Sequence, residues 1–331
     1  MKENFFSIVI PVKAYNAYCE ESLGTCSRLY PDQEILFSPD EPCRVPFAGV
    51  TVLPSGPVGP SYKRDLCMRQ ARGEVLAFLD DDAYPEKGWL EAAEEIFADP
   101  QVAAVGGPAV TPPADSPERW ASGLVYQSFL VGGPHGFRYV PRAARLVDDY
   151  PTCNLLVRRD VMLSIGGFDT GFWPGEDTVA CLKIVHDLKK KIVYSPRVLV
   201  YHHRRSMYGG HLKQVKSYAL HRGFFVKRFP KTSLRPSYFL PSLLLAGAVF
   251  GWLPAVFWRP WILLWLAGMG FYALAAVFQG LVSIGQAPSD LRGWSLFSRV
   301  VSGIAATHFA YGFFFLKGLF SPSLSEQKPA V

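Results

Sequence analysis

No aspartate or glutamate occurs between Asp187 and Asp290. The acid-free tract opens on Lys189, Lys190 and Lys191, continues through Arg204, Arg205, Lys213, Lys216 and Arg222, and ends in long uncharged runs. Basic residues beside apolar spans mark the cytoplasmic face of a membrane segment. They do not mark a nucleic-acid groove, because the basic stretch abuts the apolar runs and no nucleic-acid-binding motif accompanies it. Cysteine is sparse as well: Cys19, Cys26, Cys43, Cys67, Cys153 and Cys181 form no CxxC pair and no Cys/His group at zinc spacing. That scatter excludes a disulfide framework and a structural zinc site. The N-terminal stretch is also a poor match to a secretory leader. Lys2 is followed at once by Glu3, and the apolar run stops at Pro11, so the segment reads as a first strand of a cytoplasmic part.

What the chain does contain is enough apolar material, 49% of 331 residues, for one large domain or two ordinary ones. From residue 5 to about 110, short β-rich runs alternate with helical stretches, the pattern of βαβ units feeding a mostly parallel sheet. "FSIVIPV", "QEILFSP", "GVTVLPS", "EVLAFLD" and "QVAAVGGPAV" are the strands, with "AYCEESLGTCSRL" and "SYKRDLCMRQARG" as helices between them. Residues 111–150 are rich in Pro and Gly without a clear period, and are read as a long excursion beside a site. "CNLLVRRDVMLSIGGFD" restores a strand and a short helix, and "GEDTVACLKIVHDLKK" is a helix with acids in its first turn and lysines in its last.

From Phe239 the character changes. Residues 239–257 and 261–284 are uncharged runs close to the roughly 20 residues that cross a bilayer. They predict a helical hairpin, with Trp252, Trp258, Trp261 and Trp265 as an interfacial belt. Residues 300–320, with His308 and Lys317, form a weaker third span that could also lie re-entrant.

Three adjacent carboxylates, Asp80, Asp81 and Asp82, follow the fully apolar "VLAFL". They lie at the carboxyl end of a buried parallel strand, the edge where open α/β sheets bind ligands. Strand alternation points Asp80 and Asp82 to one side and Asp81 to the other. Two converging carboxylates suit Mg²⁺ or Mn²⁺ shared with substrate phosphates; the same acids could instead serve only the dipole of the following helix. Spacing alone leaves both readings open.

The motifs together resemble a family 2 inverting glycosyltransferase with a GT-A fold. The resemblance rests on "VIPVKAYN", "GPSYKRDLCMRQARGEVLAFLDDDAYPEKGWL", "CNLLVRRDVMLSIGGFDTGFWPGEDTVACLKI" and "VLVYHHRR", in order over about residues 5–230. The apolar hairpin followed by "THFAYGFFFLKGLF" is similar to membrane-bound bacterial enzymes of succinoglycan and other exopolysaccharide assembly.

The resemblance implies a Rossmann-like catalytic domain with a mostly parallel central sheet over 1–208, a basic amphipathic interfacial segment over 209–238, a membrane domain over 239–320 and a tail over 321–331. It implies that Asp80 and Asp82, with His202, hold Mg²⁺ or Mn²⁺, and that Pro11, Val12, Asp40, Lys63, Arg64, Asp65, Asp80 and Asp81 bind the nucleotide donor. It assigns Asp177 as catalytic base with Glu176 as its rival, and Asn154 and Trp173 to sugar or acceptor. The chain departs from the family at Asp40, which stands in "FSPDEP", and at Asp65, where Asn is common. It also lacks the Gln-x-x-Arg-Trp element of processive synthases, so a single transfer is expected. The implied partners are a nucleoside diphosphate sugar, UDP favoured, a lipid-linked or glycan acceptor and membrane lipids, at a bacterial inner membrane with the catalytic domain facing the cytoplasm. A metal-dependent nucleotidyltransferase, or a non-catalytic sugar-nucleotide-binding subunit, would share the fold and the carboxylates.

Overall fold

A computed structural model describes residues 5–168 and 171–324. The end of the expected tail, 325–331, and Asp169 and Thr170 of the "GGFDTGFWP" loop lie outside the described residues. In chain order the elements begin β1 (Phe6–Pro11), α1 (Ala17–Leu29), β2 (Glu34–Ser38), β3 (Val50–Val52), α2 (Pro60–Gln70), β4 (Val75–Leu79), β5 (Ala83–Pro85), α3 (Trp89–Phe97), β6 (Val102–Gly106) and β7 (Ala109–Val110). Next come α4 (Pro117–Gln127), α5 (Phe129–Gly132), β8 (Arg145–Val147), β9 (Asn154–Arg158), α6 (Arg159–Ser164), α7 (Glu176–Leu182), β10 (Lys191–Tyr194) and β11 (Val200–His202). The chain closes with α8 (Gly209–Arg228), α9 (Pro230–Ser233), α10 (Pro236–Phe250), α11 (Trp261–Ile284) and α12 (Trp294–Phe320).

Two compact units result, and they do not follow chain order. The first holds residues 1–110 and 140–203, and the second holds 111–139 and 204–324.

In the first unit an eight-stranded sheet runs in the order β3-β2-β1-β4-β9-β6-β10-β8. Strands β3, β2, β1 and β4 are mutually parallel, and β10 is parallel to β6. Strand β9 enters antiparallel between β4 and β6. The central strands β1, β4 and β6 are buried along their whole length, as their uninterrupted apolar runs require when both sheet faces are covered. Helix α1 starts where Asn16 accepts hydrogen bonds from the backbone of Tyr18 and Cys19, and buries Cys19, Leu23 and Cys26 against the sheet. A second sheet, β5-β11-β7, forms past the carboxyl end of β4.

The second unit corrects the reading of 111–150 as an excursion. Pro117 begins an 11-residue helix, α4, which buries Trp120, Ala121, Leu124 and Val125 in one cluster with Leu296, Val300 and Ile304 of α12. Helices 236–256, 261–284 and 294–320 are long and apolar enough to cross a membrane. The third is six residues longer at its start than the expected 300–320.

Candidate active site

The acidic triplet is a turn, not an extension of the strand. The backbone N–H of Ala83 donates to the Asp80 carbonyl at 3.1 Å, folding the chain back after β4. Strand β5 then pairs antiparallel with β11, and the register sets His202 opposite Ala83, one residue from Asp82. The His203 N–H donates to the Asp82 carbonyl at 2.9 Å, which locks this register. As a result His202 Nε2 lies 3.0 Å from Asp82 Oδ1. One ligand atom each from Asp80, Asp82 and His202 falls within 4.8 Å of the others. Asp80 is partly exposed, while Asp82 and His202 are nearly enclosed. Asp81 turns away from this cluster, 3.4 Å from the Asn16 amide that caps α1. His203 leaves it too, bonded to Glu21 at 2.8 Å and flanked by the Tyr18 and Tyr84 rings.

Arg64, on α2, joins this cluster to the acidic motif of α7. Its guanidinium is 4% exposed and donates to Glu176 at 2.8 Å and to Asp80 at 3.2 Å. Burial opposes the positive charge, but Glu176 and Asp80 outweigh it and raise the Arg64 pKa above its ordinary value. The face of Phe168 packs 5.7 Å from the same guanidinium. Glu176 is buried, and its second oxygen accepts the Gly175 N–H at 3.0 Å. Asp177, next to it, is half-buried and accepts the Thr178 N–H at 2.7 Å. Trp173 is 47% exposed on the preceding loop.

At the end of β1, Lys63 is buried and donates to the Val12 carbonyl at 2.6 Å, to the Ser38 carbonyl at 3.5 Å and to the Asp40 carboxylate. These contacts tie Pro11 and Val12 to the strand carrying Ser38 and to Asp40, so the three sequence-distant pieces form one ledge at the carboxyl ends of β1 and β2.

Four of the expected ligand residues also carry structural contacts. An ammonium has three donors, and those of Lys63 reach Val12, Ser38 and Asp40, which builds the ledge. Asp65 is 5% exposed and accepts the Phe168 N–H at 2.8 Å, beneath a turn in which Gly166 and Gly167 have φ of +81° and +71°. A side chain at Gly167 would both strain the backbone and strike Asp65, so Asp65 and Gly167 are a matched structural pair. Asn154 is fully buried. Its amide donates to the Gly107 and Val198 carbonyls, each at 2.7 Å, while its oxygen accepts the Trp89 indole N–H at 2.9 Å. It closes the core under the site. Arg64, expected beside the diphosphate, is enclosed between the Glu176 and Asp80 carboxylates.

Sequence reading missed Glu86 and Tyr201 beside the second sheet. Their side chains meet at 2.7 Å, and the acceptor Glu86, together with burial, pushes the Tyr201 pKa up to about 12.

This sheet order, with an acidic turn after β4 and a histidine strand folded back beside it, defines a GT-A nucleotide-sugar fold. Residues 7–165 match the model of Glycosyl transferase family 2. Among curated relatives, the pre-mycofactocin glycosyltransferase of Mycobacterium tuberculosis is 26% identical over 59% of this chain and 39% of its own length. The glucosyl-dolichyl phosphate glucuronosyltransferase of Haloferax volcanii is 29% identical over 44% of this chain and 47% of its own. The succinoglycan biosynthesis protein ExoM of Rhizobium meliloti is 30% identical over 43% of each. The chain therefore spans less than half the length of these relatives. A mannosyltransferase from Pyrobaculum calidifontis, solved with GDP-Man and Mn²⁺, shares the fold with a TM-score of 0.51 at 18% identity, over 96% of this chain and 88% of that one.

Proposed function

We propose that this chain is a membrane-anchored, divalent-metal-dependent inverting glycosyltransferase. It moves one sugar from a nucleoside diphosphate sugar, with UDP sugars first in line, to a lipid-linked or glycan acceptor. The observation that carries the reading is the convergence of Asp80, Asp82 and His202 at the carboxyl end of β4. The donor set fits a hard cation that also accepts an imidazole, which favours Mn²⁺ over Mg²⁺. Asp82 and His202, 3.0 Å apart, would hold the ion together with Asp80. When bound, the ion supplies Lewis-acid neutralisation of the donor diphosphate.

The chain's own groups divide the remaining work. The ledge of Pro11, Val12 and Asp40, with Asp81 close by, holds the nucleoside. Arg64 fixes Asp80 and Glu176 together, so the donor-side and acceptor-side acids are aligned by one rigid cation. Glu176 bonds to Arg64 and Gly175, and we assign the base to its half-buried neighbour Asp177. An acceptor hydroxyl attacks the anomeric carbon, its proton passes to the Asp177 carboxylate, and the sugar–phosphate bond breaks to release the nucleoside diphosphate. Trp173, exposed beside this motif, offers a stacking face to the sugar or acceptor. The interfacial segment 209–238 and the apolar hairpin hold the enzyme at the cytoplasmic face of the inner membrane, where a lipid-linked acceptor is presented.

The test is titration and turnover with UDP and GDP sugars plus Mn²⁺. Asp177→Asn should bind donor as the wild type does and lose about 10²- to 10⁴-fold in turnover, the usual weight of a general base. Unchanged turnover in Asp177→Asn would remove the base assignment, and the absence of any nucleotide-sugar binding would remove the reaction class.

A further inference from the structure

Helix 294–320 is long and apolar enough to cross a bilayer, yet its partner within the second unit does not permit it to. It runs parallel to α8 and in register with it. Tyr208 meets Ser302 at 2.6 Å, His211 Nε2 meets Thr307 at 2.9 Å, and Lys227 donates to the Ser321 carbonyl at 2.9 Å. Two glycines allow the axes to approach closely. A Cβ on Gly223 would stand 2.0 Å from the Phe315 carbonyl oxygen, and one on Gly318 would stand 1.9 Å from that of Leu220. Whatever orientation α8 takes, α12 shares.

Helix α8 cannot stand upright in hydrocarbon. Lys213, Lys216, Lys227 and Arg228 are exposed along it, with no acid anywhere in the helix. From 213 to 228 the axis rises about 22 Å at 1.5 Å per residue, most of the roughly 30 Å hydrocarbon thickness. Upright, the helix would carry exposed ammonium groups into the bilayer, where lysine is strongly disfavoured.

The hairpin points the same way. Helices α10 and α11 are held together by Trp265 donating to the Gly247 carbonyl at 2.9 Å. Helix α12 crosses the base of the hairpin: Ser242 of α10 donates to the Gly312 carbonyl at 2.9 Å, Phe239 packs edge-on against Phe315, and Tyr272 of α11 meets His308 at 2.9 Å. Toward the hairpin tip Phe250, Leu263 and Phe271 are 61%, 67% and 75% exposed. In the windows that qualify them as spans, α10 and α11 are 6% buried and α12 is 39% buried.

We propose that α8 and α12 form a pair lying along an anionic lipid surface, and that the α10–α11 hairpin alone crosses the bilayer. The pair's chemistry suits such a surface. Lys216 and Lys317 both sit over the Phe314 ring, at 5.7 and 5.8 Å, and Lys227 sits over Phe224 at 5.9 Å, so apolar rings and cations share one layer as they do at headgroup depth. Exposed Phe313 and Phe320 supply the insertion. It follows that residues 205 and 324 lie on the same side of the membrane.

Side-specific thiol labelling of the full chain decides the topology. Ser289→Cys, Ser323→Cys and Phe257→Cys are introduced singly and labelled with a membrane-impermeant maleimide in right-side-out and inverted vesicles. Labelling is read peptide by peptide, so the native cysteines do not interfere. The expected result is that Ser323→Cys and Ser289→Cys gain and lose label together on inversion, while Phe257→Cys does the opposite. Ser323→Cys following Phe257→Cys, or labelling from neither side, overturns the proposal. The lipid partner is tested by amide exchange in nanodiscs. Phosphatidylglycerol in place of phosphatidylcholine should slow exchange over 209–228, and Lys213→Glu/Lys216→Glu/Lys227→Glu should abolish that slowing. Equal exchange of the wild type in the two lipids would refute an anionic partner.

Discussion

Arg64 bridges the carboxylates of Asp80 and Glu176, so its removal has a calculable cost. Its side chain and that of Glu176 are each 5% exposed, whereas Asp80 is 32% exposed. In Arg64→Met, Asp80 regains water, but Glu176 is left as a buried carboxylate with only the Gly175 N–H in support. Breaking a buried pair from one side costs about 3–5 kcal/mol. In a unit of this size each kcal/mol moves the midpoint by about 2–4 °C, so a drop of roughly 6–20 °C is expected. Thermal unfolding followed by tryptophan fluorescence in detergent reads it directly. The cause is separated from general damage by Arg64→Met/Glu176→Gln, which removes both charges and should recover most of the loss, because a neutral pair of similar shape carries no stranded charge. A drop of only a degree or two in the single variant, or no recovery in the double, would show that Arg64 is not the electrostatic tie between the two acids.

Other expectations follow from the same geometry. Asp82→Ala should weaken Mn²⁺-dependent donor binding in calorimetry far more than Asp81→Ala, since Asp81 faces Asn16 and not His202; equal losses would dissolve the distinction. Asn154→Ala should lower the unfolding midpoint while leaving the KM for donor unchanged, because it strands two buried carbonyls and an indole N–H at about 1–3 kcal/mol each; a selective rise in KM would support the sugar-binding role. His211, bonded on both nitrogens to Ser122 and Thr307, has its pKa lowered to about 4 by burial and then by Arg204. The folded state therefore resists protonation that the unfolded chain accepts near 6.5, so this contribution is intact above that pH and fades as pH falls toward 4, by about 3 kcal/mol in total. Melting profiles between pH 7 and 5 should show this slope in the wild type and a flatter one in His211→Gln.

Local pattern was enough for the pieces of the catalytic fold, since each depends on neighbours in sequence. The helix expected over "AYCEESLGTCSRL" is α1 residue for residue, and the buried run "VLAFL" is β4. The segment 111–139 failed to show itself for a physical reason. Helix α4 is flanked by Pro112, Pro113 and Pro117 on one side and by Gly132 and Gly133 on the other, and this loop-like composition over the whole segment masked the period of its 11 residues. The core contacts of Asn154 were hidden for a different one. Its partners Trp89, Gly107 and Val198 converge only when β9 inserts between β4 and β6, and no local signal reports a crossover. The acidic triplet joins both lessons. Its convergence was expected from strand alternation, but the chain turns at Asp80, and Asp82 meets an imidazole because β11 returns antiparallel to β5. Position in sequence placed the charges at the productive edge of the sheet. Their separate chemistry, one carboxylate facing an arginine, one an asparagine and one a histidine, is a property of registers set by residues far along the chain.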